Sequence, residues 1–229
     1  MKVLIAAPVR DRAWVLPEYL KAIENLIFDG NIQYYFLIND STDNSKQILE
    51  DFQQRKNNCV IEEINYNTPK DERNGVRSAH TFYTLANLRN HILEYFLSTD
   101  CDILYSIDTD VIVKPESLQE LIKIDADITS TFIFNTKVQK WNRGNVLIGI
   151  DKIKHIDAAL REEVFNCSVT GAVYIIKRKV IEAGCKYAWH RLGEDIPFCL
   201  GAINKGFIIK CTKRKLAEHY MSKRVFNHI

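Results

Sequence analysis

Long hydrophobic runs are missing from this chain. No stretch of its 229 residues approaches the roughly 18 consecutive apolar residues that a membrane-spanning helix needs. The opening MKVLIAAPVRDR has an apolar part too short for a secretory signal, and two arginines follow it at once. Excess charge is missing too. A formal net charge of +2 gives no global reason to expect a nucleic acid or an anionic membrane as partner. The six cysteines (Cys59, Cys101, Cys167, Cys185, Cys199 and Cys211) never form a CxxC pair, and most sit in apolar runs. That pattern argues against zinc ligands and a disulfide framework. It fits buried thiols in a reducing compartment, so the expected location is cytoplasmic. Internal repeats, low-complexity tracts and obvious linkers are absent as well. With 46% hydrophobic residues, the length suffices for one sizeable core shared by two continuous halves.

What is present is an alternation of element types. Residues 2–7 (KVLIAA), 34–38 (YYFLI), 59–64 (CVIEEI) and 102–107 are short apolar runs that read as buried strands. Between them, residues 14–28 carry apolar side chains at helical spacing and end at Gly30. Residues 45–54 follow a polar NDSTDNS turn whose Ser and Asp residues can cap a helix, and residues 79–97 form a long helix. Residues 65–77 read as a loop, and Pro115 opens the next helix. This order predicts a parallel sheet with helices on both faces over the first 113 residues. Beyond residue 125, segments 126–134, 145–150, 169–177 and 207–211 read as strands. A short helix ends at Gly184, and residues 194–206 form a helix closed by Gly206 before a basic tail. The expected class is α/β, with a Rossmann-like, mostly parallel sheet running through both halves, 1–113 and 114–229.

The segment 102-DILYSIDTDVIVKP-115 sets two carboxylates at the end of a buried strand, with apolar residues on either side. Ligands of open parallel sheets bind beyond the carboxyl ends of the strands. Residues two apart in a strand share a side, so Asp108 and Asp110 are expected to aim together if strand geometry persists. Close carboxylates repel unless a cation lies between them. A hard divalent ion, Mg²⁺ or Mn²⁺, satisfies that with oxygen ligands and substrate phosphates. The plain alternative is a surface turn with two solvated aspartates.

Five motifs in order decide between these. The strand end 37-LINDSTDNS-45, the helix segment 86-ANLRN-90, the D-x-D at 108–110, the strand 171-GAVYIIKRK-179 and the helix start 193-GEDIPFCLGAINKG-206 together resemble nucleotide-sugar glycosyltransferases of the GT-A fold, in particular the large family-two group. A late 218-EH-219 matches the histidine that often closes the metal site in that group. The resemblance runs from about residue 2 to 220, with Asn39 where the family has an aspartate. No Q-x-x-R-W of processive synthases occurs, which implies addition of a single sugar. The opening 7-APVRDRAWVLPEYLKAI-23 is closer to relatives of the fungal Golgi mannosyltransferases, which also carry a D-S-x-D turn. Those relatives retain anomeric configuration, whereas family two inverts it.

The resemblance implies roles. Pro8 and Arg10 line the nucleotide pocket, Asp40 meets the base or ribose, and Arg89 reaches the nucleotide from the long helix. Asp108 bridges metal and ribose beside Thr109, Asp110 binds the metal, and His219 completes the shell as a neutral imidazole. Asp195 or Glu194 is the general base of an inverting transfer, with Asp195 preferred. The implied donor is a UDP- or GDP-sugar, and the acceptor a glycan, protein or small molecule. For Asp43 a helix cap is the stronger reading, and for the Glu194–Asp195 pair the plain alternative is a favourable charge at a helix N-terminus. Trp141 and Trp189 are possible sugar platforms, and the basic 213-KRK-215 and 223-KR-224 either close over the diphosphate or form a solvated face. Two rivals remain. A sugar-nucleotide nucleotidyltransferase needs a glycine-rich loop after the first strand, and APVRDRAW has no glycine. A non-catalytic nucleotide-sugar-binding module has no need of the intact Asp108, Asp110, Asp195 and His219.

Overall fold

Val3, Leu4, Ile5, Ala6 and Ala7 are completely buried, and the strand they form, β1 (Lys2–Val9), is the axis of the first half. The computed structural model describes residues 1–67, 79–135, 144–150, 152–221 and 223. After β1 come α1 (Leu16–Glu24), β2 (Asn31–Ile38), α2 (Ser45–Arg55), β3 (Cys59–Glu63), α3 (Ala79–Ser98) and β4 (Ile103–Ile107). β2 and β4 both pair parallel with β1, and β3 pairs parallel with β2. The expected parallel α/β half is therefore observed.

The second half continues the sheet. β5 (Val111–Val113), α4 (Ser117–Ile122), β6 (Ile128–Thr131), β7 (Val146–Ile148), β8 (Lys154–His155), β9 (Val164–Asn166), β10 (Val169–Thr170) and β11 (Val173–Lys177) follow in order. α5 (Arg178–Glu182), α6 (Asp195–Asn204), β12 (Ile209–Thr212) and β13 (Ala217–His219) complete the described chain. One eight-stranded sheet runs β3-β2-β1-β4-β11-β6-β12-β9, with β11 and β9 antiparallel to their neighbours. β10-β7-β8 form a small second sheet, and β13 pairs with β5.

Side-chain alternation builds a core on each face. Leu4, Ala6, Leu104 and Ile176 pack with Leu88, Ile92 and Phe96 of α3 and Phe198 of α6. Val3, Ile5, Phe36 and Ile175 pack with Leu16 and Tyr19 of α1, Phe52 of α2 and Leu118 of α4. Each such Val, Leu, Ile or Phe side chain, fully buried, contributes about 1.5–3 kcal/mol relative to exposure. All six cysteines are buried free thiols.

Several boundaries differ from the expectation. α1 stops at Glu24, well before Gly30, because the chain turns away and the Ile27 amide bonds to the Pro115 carbonyl. Pro115 precedes the α4 N-cap Glu116 and does not open the helix itself. The run 169–177 is two strands in two sheets, broken at Gly171–Ala172, where Ala172 takes a φ of 67°. The tail at 217–219 is a strand, and Arg214 there is held by Glu120 and Glu163. Of the expected loop 65–77, residues 68–77 lie outside the described residues, as do Trp141, Arg143 and Arg224. No described helix is long and apolar enough to cross a membrane.

Candidate active site

The loops after β1 and β2 are zipped together by short polar side chains. Asp11 and Asp40 both sit at positive φ, 49° and 46°. The Asp11 amide donates to Ser41 Oγ at 3.1 Å, and Asp11 Oδ1 accepts the Thr42 amide at 2.7 Å. The Arg12 amide donates to Ser45 Oγ at 2.7 Å and the Ala13 amide to Asp43 Oδ2 at 2.9 Å. Asp43 Oδ1 also accepts the Ser45 amide at 3.0 Å, which gives the start of α2 a cap. The D-S-T-D turn thus fixes the loop that carries Arg10 and Arg12. Asn39 Nδ2 donates to the Ile64 carbonyl at 2.9 Å. An ionised aspartate cannot donate, which explains asparagine at that position. Asp40 Oδ1 accepts the Asn67 amide at 3.0 Å, so Asp40 sits at the β2–β3 edge of the cleft.

The D-x-D is a turn, contrary to the expected strand geometry. The Val111 amide donates back to the Asp108 carbonyl at 2.9 Å, and the Asp108 amide donates to the Ala172 carbonyl at 2.7 Å. As a result the two carboxylates engage different partners. Asp108 Oδ1 accepts Arg89 Nη2 at 2.7 Å. Asp110 Oδ2 accepts Arg12 Nη2 at 3.2 Å, while its Oδ1 faces His219 Nε2 at 3.4 Å. Thr109, expected at the nucleotide, is only 3% exposed and belongs to the body of the turn. β13 delivers His219, which its pairing with β5 places opposite Val111, and the Tyr220 amide donates to the Asp110 carbonyl at 2.7 Å.

Arg89 is 4% exposed and ties the two halves together. Besides Asp108 it donates from Nε to Glu194 Oε1 at 3.0 Å and from Nη1 to Ser106 Oγ at 3.3 Å. Its guanidinium thus engages Asp108, Glu194 and Ser106 from one buried position. Glu194, 4% exposed, is its buried counter-charge. Asp195 starts α6 beside it, with Oδ1 accepting Tyr174 Oη at 3.2 Å. Burial, then the neighbouring Glu194 charge, push the Asp195 carboxyl up to about 8, against the pull of Arg89. Burial likewise raises Asp108 despite Arg89. For Asp110, burial raises the pKa, but the His219 contact and the Arg12 charge outweigh it and leave it lowered.

Asp110 and His219, both largely buried, form a pair able to hold a hard cation. His219 Nδ1 lies 3.1 Å from Asn135 Oδ1. Its Nε2 faces the Asp110 carboxylate at 3.4 Å, so the ring is held between two polar groups. Such a held imidazole is what metal-ligating histidines commonly show. No cage of three or more His, Cys, Asp or Glu side chains occurs among the described residues. Neither Arg12 nor Gly171 was singled out as a site residue from the sequence. Arg12 was one residue beyond the aspartate that follows the expected Arg10. Gly171 was visible only as the first residue of a strand motif.

The profile of the Anp1 family matches residues 1–159, more than half of the chain. The chain belongs to the Anp1 family. No curated protein matches it significantly. Solved structures similar to this Anp1-family chain include S. aureus TarS residues 1–349 with UDP, at TM-score 0.62 and 12% identity over 100% of this chain and 63% of that one. The same TarS fragment with UDP-GlcNAc gives TM-score 0.64 and 13% identity over 95% and 58%. Mannosyltransferase PcManGT from Pyrobaculum calidifontis, in complex with GDP-Man and Mn²⁺, gives 0.60 and 10% over 97% and 57%. The Anp1-family chain spans less than two thirds of the length of these structures. The expected GT-A architecture is the observed one, a fold shared with TarS and PcManGT.

Proposed function

We propose that this chain moves a single sugar from a UDP- or GDP-sugar to a hydroxyl of a glycan, protein or small-molecule acceptor, with the donor on residues 1–113 and the acceptor on 114–229. The observation that carries this reading is the meeting of the D-x-D turn with the Glu194–Asp195 helix start through the single buried Arg89. Pro8, Arg10 and Asp40 line the nucleotide side, at the ends of β1 and β2. A Mn²⁺ or Mg²⁺ ion on Asp110 and His219, with Asp108 beside it, would stabilise the departing diphosphate. Arg89 holds Asp108 in place and balances the charge of Glu194.

Asp195 is the better base of the pair. Glu194 is committed to Arg89, whereas Asp195 keeps part of its surface open and has the proton affinity of a group that can accept a proton near neutral pH. In an inverting transfer it takes the acceptor hydroxyl's proton as that oxygen attacks the anomeric carbon. Membership of the Anp1 family favours a second reading, retention of configuration, because the mannosyltransferases that the opening segment resembles retain it. In that case leaving-group phosphate takes the proton and Asp195 orients the acceptor.

A nucleotide-sugar panel starting with GDP-mannose and UDP-GlcNAc, with and without Mn²⁺, tests the reaction. Metal-dependent release of GDP or UDP is expected. Metal-indifferent binding without turnover would favour a binding module. NMR of the product anomer separates inversion from retention.

A further inference from the structure

We propose that Tyr174 and Tyr187 form a two-hydroxyl chain that positions the Asp195 carboxyl and biases it toward its ionised form, an assignment that rests on Asp195 being the base. Tyr174, on β11, is completely buried and donates to Asp195 Oδ1 at 3.2 Å. Its oxygen lies 2.5 Å from the Tyr187 hydroxyl. Among the described residues the Tyr187 hydroxyl has no other partner, so only one proton order satisfies every group. Tyr187 donates to Tyr174, and Tyr174 donates to the carboxylate. The reverse order strands the Tyr187 proton in a buried site without an acceptor, which is costly. The chain therefore ends on an acceptor and favours the ionised acid.

Tyr187 is held rigidly for this task. Asn90 grips its backbone twice, donating from Nδ2 to the Tyr187 carbonyl and accepting the Tyr187 amide, both at 2.8 Å. Phe198 stacks on its ring at 4.3 Å and 8°. The Arg89 guanidinium carbon lies 5.8 Å from the ring centre. The adjacent Arg89 and Asn90 of α3 thus divide the work: Arg89 handles the carboxylates, and Asn90 fixes the tyrosine that starts the chain. Other groups also act on Asp195. Glu194 just before α6, Cys199 within it, Asp108 after β4 and burial itself favour the neutral acid, while Arg89 of α3 favours the charged one. The tyrosine chain joins Arg89 in opposing burial.

Tyr174→Phe removes one oxygen and keeps the ring. The expected result is an unchanged KM for the donor sugar and a kcat lowered roughly tenfold, the loss of one hydrogen bond to a charged group. The alkaline-going limb of the pH–rate profile moves up by about one unit. Tyr187→Phe shifts the limb in the same direction by less. In an Asp195→Asn background, Tyr174→Phe has no further effect on kcat. A ¹³C NMR titration of the Asp195 carboxyl in the ligand-free protein shows the same upward shift. An unmoved limb and an unmoved carboxyl titration in Tyr174→Phe overturn the proposal, as does an equal kcat loss in both backgrounds. Full transfer by Asp195→Asn alone instead overturns the base reading, and the carboxyl titration then decides whether the tyrosines bias the acid.

Discussion

Gly171 lies directly against Asp195: a Cβ built on it would stand 2.3 Å from Oδ2. The bend between β10 and β11 thus comes so close to the α6 N-terminus that any added side chain must push the Asp195 carboxyl aside. Gly171→Ala should force the carboxyl out of place while leaving the D-x-D turn alone. A displacement on the order of 1 Å can cost about 10²-fold in rate. The expected outcome is that loss in kcat with donor Kd within error of wild type. Full turnover in Gly171→Ala would show that the position of Asp195 does not matter to the reaction.

Arg89 carries two carboxylates in a nearly dry site, and removing it leaves Glu194 buried without its partner. Breaking a buried pair in this way costs about 3–5 kcal/mol. Arg89→Leu should lose that much in urea unfolding. Glu194→Gln keeps an acceptor oxygen for Arg89 Nε and should cost less. In transfer, Glu194→Gln should fall well short of the loss in Asp195→Asn, for which general-base removal implies about 10²–10⁴-fold. The reverse ranking would move the base to Glu194.

Asp110→Asn and His219→Ala should each weaken Mn²⁺-dependent donor binding by calorimetry. Metal-independent nucleotide binding should change little, and so should the thermal midpoint, because the Arg12–Asp110 contact is partly solvated. Wild-type Mn²⁺ dependence in Asp110→Asn would remove that residue from the metal site.

The Asp195 carboxyl, raised from an ordinary 3.8 to about 8, sets opposite trends in activity and stability. As a base it works only when ionised, so transfer should rise with pH through about 8. Folding, by contrast, favours the protonated acid. Its contribution to stability is complete below the ordinary carboxyl value and is lost as pH rises toward 8. Chemical denaturation from pH 5 to 9 should show this decline, and Asp195→Asn should flatten it. An equally steep decline in the variant would assign it to other groups.

The parallel half was legible because its strands are continuous apolar runs separated by helix-period segments, and that signal is local. Gly184 and Gly206 marked real helix ends, each at positive φ. The strands β5, β8, β9 and β13 are two or three residues long and carry no period to read. The site was legible as a set of residue types. D-x-D, E-D and the late histidine are brought together by Arg89–Asp108, Arg89–Glu194 and Asp110–His219 contacts. Their pairings were not, because a carboxylate at a strand end does not announce whether it will meet a metal, Arg12 or Arg89. The Arg89–Glu194 pair in particular was not legible, because nothing local to Arg89 signals a partner so far along the chain.

Strand order also governs how this protein is made. β4 is the edge of a growing sheet until β11 arrives, because β11 pairs with it ahead of β6 although it follows β6 in the chain. A nascent chain that has emerged through β6 therefore exposes an unpaired apolar edge, the kind of surface that recruits other strands. Such non-local pairings form slowly. Asp108 meanwhile waits for the Ala172 carbonyl, Arg89 for Glu194 and Asp110 for His219. The edge closes with β11, whereas Glu194 and His219 arrive only later in the chain, so a ribosome-bound precursor ending before β11 should depend on chaperones, and one that has β11 but lacks α6 and β13 should be covered at that edge yet hold nucleotide poorly.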